Sequence, residues 1–186
     1  MKTCNVAGII LVFVIFAASG CNSQSGKADT ASQSPAQPAV KAAEVKKIVV
    51  DPTNPCPILT KEEVGAVMKV VIEDAEPANG GCSYYTGKPE YMAFDVFAET
   101  PNDPLKGFKD AKKEHEDGAK KYGGFVKEIK GLGDFAFYRG ETNSAEKWLF
   151  VLKGKHLFTF AARQPGMDRI SEEGIKALAG KALEKI

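Results

Sequence analysis

The sequence of 186 residues predicts an α+β domain in which a mainly antiparallel sheet is flanked by helices. Three observations lead to this fold class. The predicted elements run in the order helix, two or three strands, long helix, four strands and final helix. Most of the strands are joined by short connections, which favours antiparallel pairing. The helices carry apolar stripes that have to be buried against the sheet.

The first helix is predicted over residues 60–68. Thr60 and Glu63 form the pattern of a capping box, and apolar residues at helical spacing follow. Ahead of it, the apolar run 48–50 is interpreted as a first strand or as a strap across the domain. Residues 70–73 are a strand candidate, and a turn is predicted between that segment and the next strand.

The middle of the chain predicts two strands and a long helix. The strands cover residues 82–86 and 91–99, and the second alternates apolar and polar side chains. Asp103 is a helix cap that is followed by proline, and an apolar stripe then continues to Tyr122. The glycine pair 123–124 is expected to end this helix.

The last third of the sequence predicts four strands and a final helix. The segment 148–152 is apolar on both faces, so its strand is expected near the middle of the sheet. Ser171 caps the final helix, whose first turn is acidic. The four strands are 125–129, 135–139, 147–153 and 155–163.

The N-terminus carries an apolar run over residues 6–19 that ends in Ala-Ser-Gly before Cys21. This pattern resembles the bacterial lipoprotein lipobox, which implies cleavage before Cys21 and lipidation of that cysteine. The alternative is an uncut membrane anchor, but the run offers about 14 apolar residues where a span needs about 20. By the same resemblance, Asn22 favours sorting to the outer membrane, facing the periplasm, if the cell has two membranes.

Composition predicts three segments in the chain. Residues 1–20 are the signal peptide, 21–46 are the lipidated cysteine and a disordered tether without aromatic residues, and 47–186 are a single domain. The chain holds 25 basic and 24 acidic residues, so no basic excess predicts binding to nucleic acid.

The cysteines support an exported domain. Cys4 would be lost with the signal and Cys21 would carry the lipid, which leaves Cys56 and Cys82. Two cysteines in an exported domain most simply form a disulfide, which stabilises a loop of this length by about 3 kcal/mol. Metal binding or reactive thiols remain the alternatives, although CxxC spacing and a histidine pair are absent from the sequence.

No residue is predicted to be catalytic, and no metal or cofactor is predicted. His115 lies on the apolar stripe of the long helix, and His156 lies in or beside a hairpin turn. Neither has a second histidine at metal spacing. The carboxylates around Glu116 alternate with lysines as on a solvated helix face, and the glycines of 131–134 fit a tight turn better than a phosphate loop.

The aromatic residues suggest a possible ligand pocket. Strands that are apolar on both faces leave room for a hollow between sheet and helix, and the alternative is a filled core. The candidate pocket residues are Tyr84, Phe94, Phe137, Trp148, Phe150 and Phe160.

Four segments of the folded part have a characteristic order and spacing. They are Cys56-Pro-Ile-Leu-Thr-Lys-Glu-Glu-Val, Gly81-Cys-Ser-Tyr, Gly131-Leu-Gly-Asp-Phe-Ala-Phe-Tyr and the hairpin 149–160. Together they resemble a family of bacterial envelope lipoproteins of unknown function, which includes the Lpq-type proteins and is similar to kinase extracellular sensor domains. The resemblance spans about residues 54–185. It implies an antiparallel sheet flanked by helices of the PsbP-like class, a disulfide between Cys56 and Cys82, and no established catalytic residue.

The sequence therefore predicts an exported, lipid-anchored, non-catalytic envelope protein. We expect it to bind a protein partner or an apolar, lipid-like envelope molecule, and to meet the membrane through Cys21. The alternatives are an envelope hydrolase, which would need a histidine beside a serine or carboxylate, and a purely structural lipoprotein.

Overall fold

The computed structural model describes residues 47–87, 92–141, 146–162 and 170–186. The predicted signal peptide, Cys21 and the tether lie outside the described residues. Within those ranges the predicted α+β class is confirmed, with three α-helices and one antiparallel sheet of seven strands. No helix in the described part of the chain is long and apolar enough to cross a membrane.

The described elements follow one another in an order close to the predicted one. A 3₁₀ turn at Cys56–Ile58 precedes the first helix. The helices are α1 (Lys61–Met68), α2 (Pro104–Tyr122) and α3 (Glu172–Glu184), and the strands are β1 (Asp74–Ala78), β2 (Gly81–Tyr85), β3 (Met92–Glu99), β4 (Gly124–Ile129), β5 (Phe135–Glu141), β6 (Lys147–Lys153) and β7 (His156–Ala162).

The sheet is built from two meanders that meet in its middle. Its strand order is β1-β2-β3-β7-β6-β5-β4, and every neighbouring pair is antiparallel. Helix α2 connects the first meander to the second. The edges of the sheet in the described residues are therefore β1 and β4.

The two faces of the sheet carry separate apolar clusters because successive side chains of a strand point to opposite sides. On one face, Phe94 and Leu149 pack in a large cluster with Ile175 and Leu178 of α3 and with residues of α1. On the other face, Phe150 packs with Phe108 of α2 and three more buried residues. The sheet thus lies between α2 on one side and α1 with α3 on the other.

The predicted disulfide is present between Cys56 and Cys82. Cys82 is fully buried in β2, and Cys56 lies in the 3₁₀ turn that leads into α1. The bond therefore joins the entrance of the domain to its sheet. The predicted capping box of α1 is also confirmed, because the Glu63 amide donates to Thr60 Oγ1 and the Glu63 carboxylate accepts from the Thr60 amide.

The first strand differs from the sequence prediction. Residues 70–73 precede the strand, which covers Asp74–Ala78 and includes Pro77. A proline inside a strand is tolerated here because β1 is an edge strand, where an amide can face away from the ladder. The segment 48–50 is a strap without strand pairing, and the Ile48 amide donates to the Lys185 carbonyl at the end of α3.

Candidate functional site

The six predicted pocket residues are divided between the two faces of the sheet. Five of them are buried and Trp148 is partly buried. The described surface hollows are lined by other residues. Tyr84, Phe94 and Phe160 pack on the side of α1 and α3, whereas Phe137, Trp148 and Phe150 pack on the side of α2.

Tyr84 shows the structural role of a predicted pocket residue on the side of α1 and α3. Its hydroxyl donates a hydrogen bond of 2.9 Å to the Leu59 carbonyl, and its ring lies 6.1 Å from that of Phe94. Burial, with a smaller contribution from Glu63, raises the pKa of Tyr84 far above its usual range. The phenol therefore stays neutral and holds the segment before α1 against β2.

An open apolar depression lies between the beginning of α2 and β5, and we call it the α2–β5 hollow. It comprises two adjoining spaces of about 370 and 290 Å³ that share Phe108, Glu128 and Phe135. Leu105 is 39% exposed and Phe135 is 51% exposed, so both present apolar surface to solvent. The remaining lining residues are Lys109, Lys112 and residues 129–134 with Ala136.

The local sequence explains the walls of this hollow. Asp103 accepts a hydrogen bond from the Lys106 amide and Pro104 is the first helical residue, which fixes where α2 begins. The first turns of α2 then place Leu105 and Phe108 over β5. The ring of Phe108 lies 5.9 Å from that of Phe135, which forms the opposite wall.

The floor of the hollow continues into the aromatic cluster under α2. The rings of Phe108 and Phe137 meet edge to face at 5.3 Å, and Phe137 stacks on Phe150 at 4.5 Å. These buried rings make the inner surface apolar and closely packed. An occupant of the hollow would thus contact aromatic carbon on its inner side.

The turn between β4 and β5 forms the remaining wall. Gly131 and Gly133 have φ angles of 77° and 63°, which only glycine adopts without strain. The Asp134 amide donates to the Leu152 carbonyl at 2.7 Å, and the Asp134 carboxylate accepts from the Gly154 amide at 2.6 Å. These bonds hold the turn against the β6–β7 hairpin, so this wall has a defined position.

Charges around the hollow have a positive excess. Lys112 and Glu128 form an ion pair of 2.5 Å across the groove. Their hydrogen bond lowers the pKa of Glu128 and raises the pKa of Lys112. The second carboxylate of the lining, Asp134, lies 3.8 Å from the Lys153 ammonium. In the described part of the chain, Lys109 and Lys130 make no ion pair, so two ammonium groups remain at the rim.

The two histidines do not line this hollow, and each has a polar side chain within hydrogen-bond distance. His115 Nδ1 accepts a hydrogen bond of 2.8 Å from Arg139 Nη1, and Arg139 also donates to Glu141. His156 Nδ1 is 2.9 Å from Thr100 Oγ1. Within the described residues, no group of three or more metal-ligating side chains forms.

A buried polar pair lies elsewhere on the α2 side of the sheet. The hydroxyl of Ser83 on β2 donates to Asp95 on β3 at 2.6 Å, and the two residues are direct cross-strand partners. The alternating pattern of β3 placed Asp95 on a polar face, whereas the structure buries it almost completely. No local signal in the sequence marks this pair, because Ser83 and Asp95 meet only through the register of β2 and β3.

Sequence reasoning missed the α2–β5 hollow as a site. Leu105 and Phe108 belong to the apolar stripe that predicted burial along all of α2. The structure buries Phe108 and leaves Leu105 partly exposed.

Comparison with known protein families and with curated proteins finds no match for this sequence.

Proposed function

We propose that the chain is a non-catalytic, lipid-anchored envelope protein that binds an amphiphile with an apolar chain and an anionic headgroup in the α2–β5 hollow. The observation that carries this proposal is the exposed apolar surface of Leu105 and Phe135 over the buried ring of Phe108. Exposed apolar side chains that line a concavity are typical of a binding site.

The size of the hollow supports a small apolar occupant. Its larger space of about 370 Å³ falls at the lower end of the range for small-molecule sites. Of the six aromatic residues predicted from the sequence, Phe137, Trp148 and Phe150 pack on the side of the hollow, and the other three pack on the opposite face of the sheet. The wall at Gly131 and Gly133 is fixed by hydrogen bonds, so the hollow exists before binding.

The charges at the rim support an anionic headgroup. Lys109 and Lys130 lie beside the apolar walls, and Glu128 is neutralised by Lys112. An anionic group above the apolar chain would gain electrostatic attraction that a cationic group would not. A partner protein with an acidic, apolar segment is the competing occupant.

The location follows from the N-terminal sequence. The apolar run 6–19 and the small residues before Cys21 support export and lipidation. A Cys21→Ala variant should fail to incorporate a labelled acyl precursor and should leave the membrane fraction. Processing and membrane retention equal to the parent would contradict the lipid anchor.

Calorimetric titration with dodecanoate below its micelle concentration tests the binding proposal. We expect saturable binding to the full chain in membrane-mimicking nanodiscs, and at least tenfold weaker binding of dodecyltrimethylammonium, which has the same chain and the opposite charge. Absence of dodecanoate binding, together with binding of an acidic apolar peptide, would replace the amphiphile by a protein partner.

Two substitutions with a matched control locate the site. Leu105→Asp should weaken dodecanoate binding at least tenfold because it places a carboxylate in the apolar wall. Val71→Asp is the control, since Val71 is 78% exposed and lies outside the hollow. Lys130→Glu should weaken dodecanoate and strengthen dodecyltrimethylammonium. Equal effects of Leu105→Asp and Val71→Asp would show that binding occurs elsewhere.

A further inference from the structure

We propose that two copies of this chain associate through β4, pairing antiparallel about a two-fold axis at Val126 so that their sheets become continuous. This association does not rest on the proposed amphiphile binding, although Glu128 belongs to both surfaces. It rests on the open main-chain groups along the outer side of β4 and on the self-complementary sequence of that strand.

The edge at β4 is open. In the part of the chain that the structure describes, the main chain of β4 (Gly124–Ile129) makes ladder bonds to β5 and no hydrogen bond to any other segment. An edge strand presents a row of amide and carbonyl groups that matches another strand. A polypeptide backbone is therefore the partner that this row fits best.

The opposite edge is protected in a way that β4 is not. Strand β1 contains Pro77, which lacks an amide hydrogen, whereas β4 has no proline, although both strands expose two charged side chains. Lysine commonly guards an edge by pointing outward. On β4 the Lys127 ammonium is instead drawn to Glu172 of α3, 3.0 Å away, so it lies over the sheet face.

The sequence of β4 selects a second copy as the occupant. Directly opposed residues of an antiparallel pair share a face, so a two-fold axis perpendicular to the sheet must pass through one residue position. With Val126 on the axis, Phe125 lies opposite the partner's Lys127, and Gly124 lies opposite the partner's Glu128. With Lys127 on the axis, two ammonium groups would oppose each other, which destabilises a cross-strand pair.

The surroundings of β4 fit this register. Phe125 is 49% exposed and offers a ring against which the methylene stem of the partner's Lys127 can lie while its ammonium stays with Glu172. A hollow of about 390 Å³ beside Gly124 is lined by Ala119 and by the charged residues Glu116 and Lys120. It leaves room where the partner's Glu128 would enter.

Cysteine cross-linking of the full chain in isolated membranes tests the register. Val126→Cys would bring two thiols face to face, since opposed Cβ atoms of a strand pair lie about 4.5–5.5 Å apart. An oxidation catalyst should then yield a disulfide-linked species of twice the chain mass. Glu128→Cys is the matched control, because its two copies would be about 13 Å apart along the strand.

We expect Val126→Cys to cross-link at least tenfold more than Glu128→Cys, above the background given by the wild-type cysteines. Cross-linking of Val126→Cys no greater than that background would overturn the proposal. Adducts formed only with other proteins would also overturn it, because the edge would then receive a different chain.

Sedimentation of the full chain in detergent gives a second measure that needs no cross-link. Phe125→Lys would oppose the partner's Lys127 with a like charge at two symmetric places, so the dimer should weaken at least tenfold. Phe135→Lys is the control, because Phe135 is equally exposed but lies on β5. Equal association of both variants would overturn the proposal, with thermal melts confirming that each is folded.

Discussion

Arg139 of β5 donates a hydrogen bond from Nη1 to Nδ1 of His115 on α2, over 2.8 Å. A guanidinium is always a donor, so this contact requires the His115 nitrogen to be unprotonated. The imidazole also packs against Phe150, with ring centres 4.4 Å apart. The pair thus joins the long helix to the sheet only while His115 is neutral.

This pair predicts that the domain loses stability in mild acid. Burial first, and then Arg139, lower the pKa of His115 below its ordinary value of about 6.5. The unfolded chain therefore binds a proton more readily, and the free energy of unfolding should fall as the pH drops below about 6.5. Urea unfolding at pH 7.5 and 5.5 measures this loss.

His115→Gln should remove the larger part of that pH dependence. His156→Gln is measured beside it, because burial and Lys155 also lower the pKa of His156. A wild-type domain that is equally stable at both pH values would contradict the interpretation of the His115–Arg139 contact.

Reduction of the Cys56–Cys82 disulfide should cause a large loss in the free energy of unfolding. Cys56 and Cys82 are 26 residues apart, and the chain-entropy relation gives about 3 to 4 kcal/mol for a loop of that length. A Cys56→Ser/Cys82→Ser variant should lose this amount in urea unfolding. The reduced wild type should match the variant, and a reductant should leave the variant itself unchanged.

Three substitutions at the start of α1 should lower the free energy of unfolding by different amounts. Burial by itself would raise the pKa of Glu63, but hydrogen bonds from Lys185 and the Thr60 amide outweigh it and lower the pKa. Thr60→Ala should therefore cost about 1 kcal/mol of unfolding free energy, and Glu63→Ala at least as much. The control Glu62→Ala is exposed and should cost less than about 0.5 kcal/mol. Equal losses at positions 62 and 63 would contradict a role for the Lys185 contact.

Alanine substitutions at two glycines in the wall of the hollow should destabilise the domain by different amounts. A Cβ at Gly133 would lie 2.5 Å from the Leu152 carbonyl oxygen, whereas a Cβ at Gly131 would meet no atom within 4 Å. Gly131→Ala should cost about 1 kcal/mol through its left-handed φ angle alone. Gly133→Ala should cost about 3 kcal/mol, since overlap with β6 is added. Thermal melts of both variants test the order, and equal losses would contradict the packing of this turn.

Local signals explain what the sequence predicted correctly. Thr60 and Glu63 define the start of α1 by themselves, and Asp103 with Pro104 does the same for α2, because caps depend on neighbouring residues only. The disulfide was predicted by counting the cysteines that the expected export would leave in the domain.

The features that were missed depend on contacts distant in sequence. Strand β1 was missed because Pro77 indicates a turn unless the strand is known to lie at an edge. The α2–β5 hollow was missed because the apolar stripe of α2 predicts burial along the whole helix. It does not show which of its residues, such as Leu105, extend beyond the sheet that covers the others. The burial of Asp95 depends on its pairing with Ser83, which only the register of β2 and β3 provides.

The most direct test of the amphiphile proposal is an amide NMR titration of the chain with dodecanoate. We predict shifts concentrated at residues 131–134 and in the first two turns of α2 at Leu105 and Phe108, with Val71 and the strap at residues 48–50 unchanged. Shifts confined to other regions, or a spectrum unaffected by saturating dodecanoate, would contradict the account.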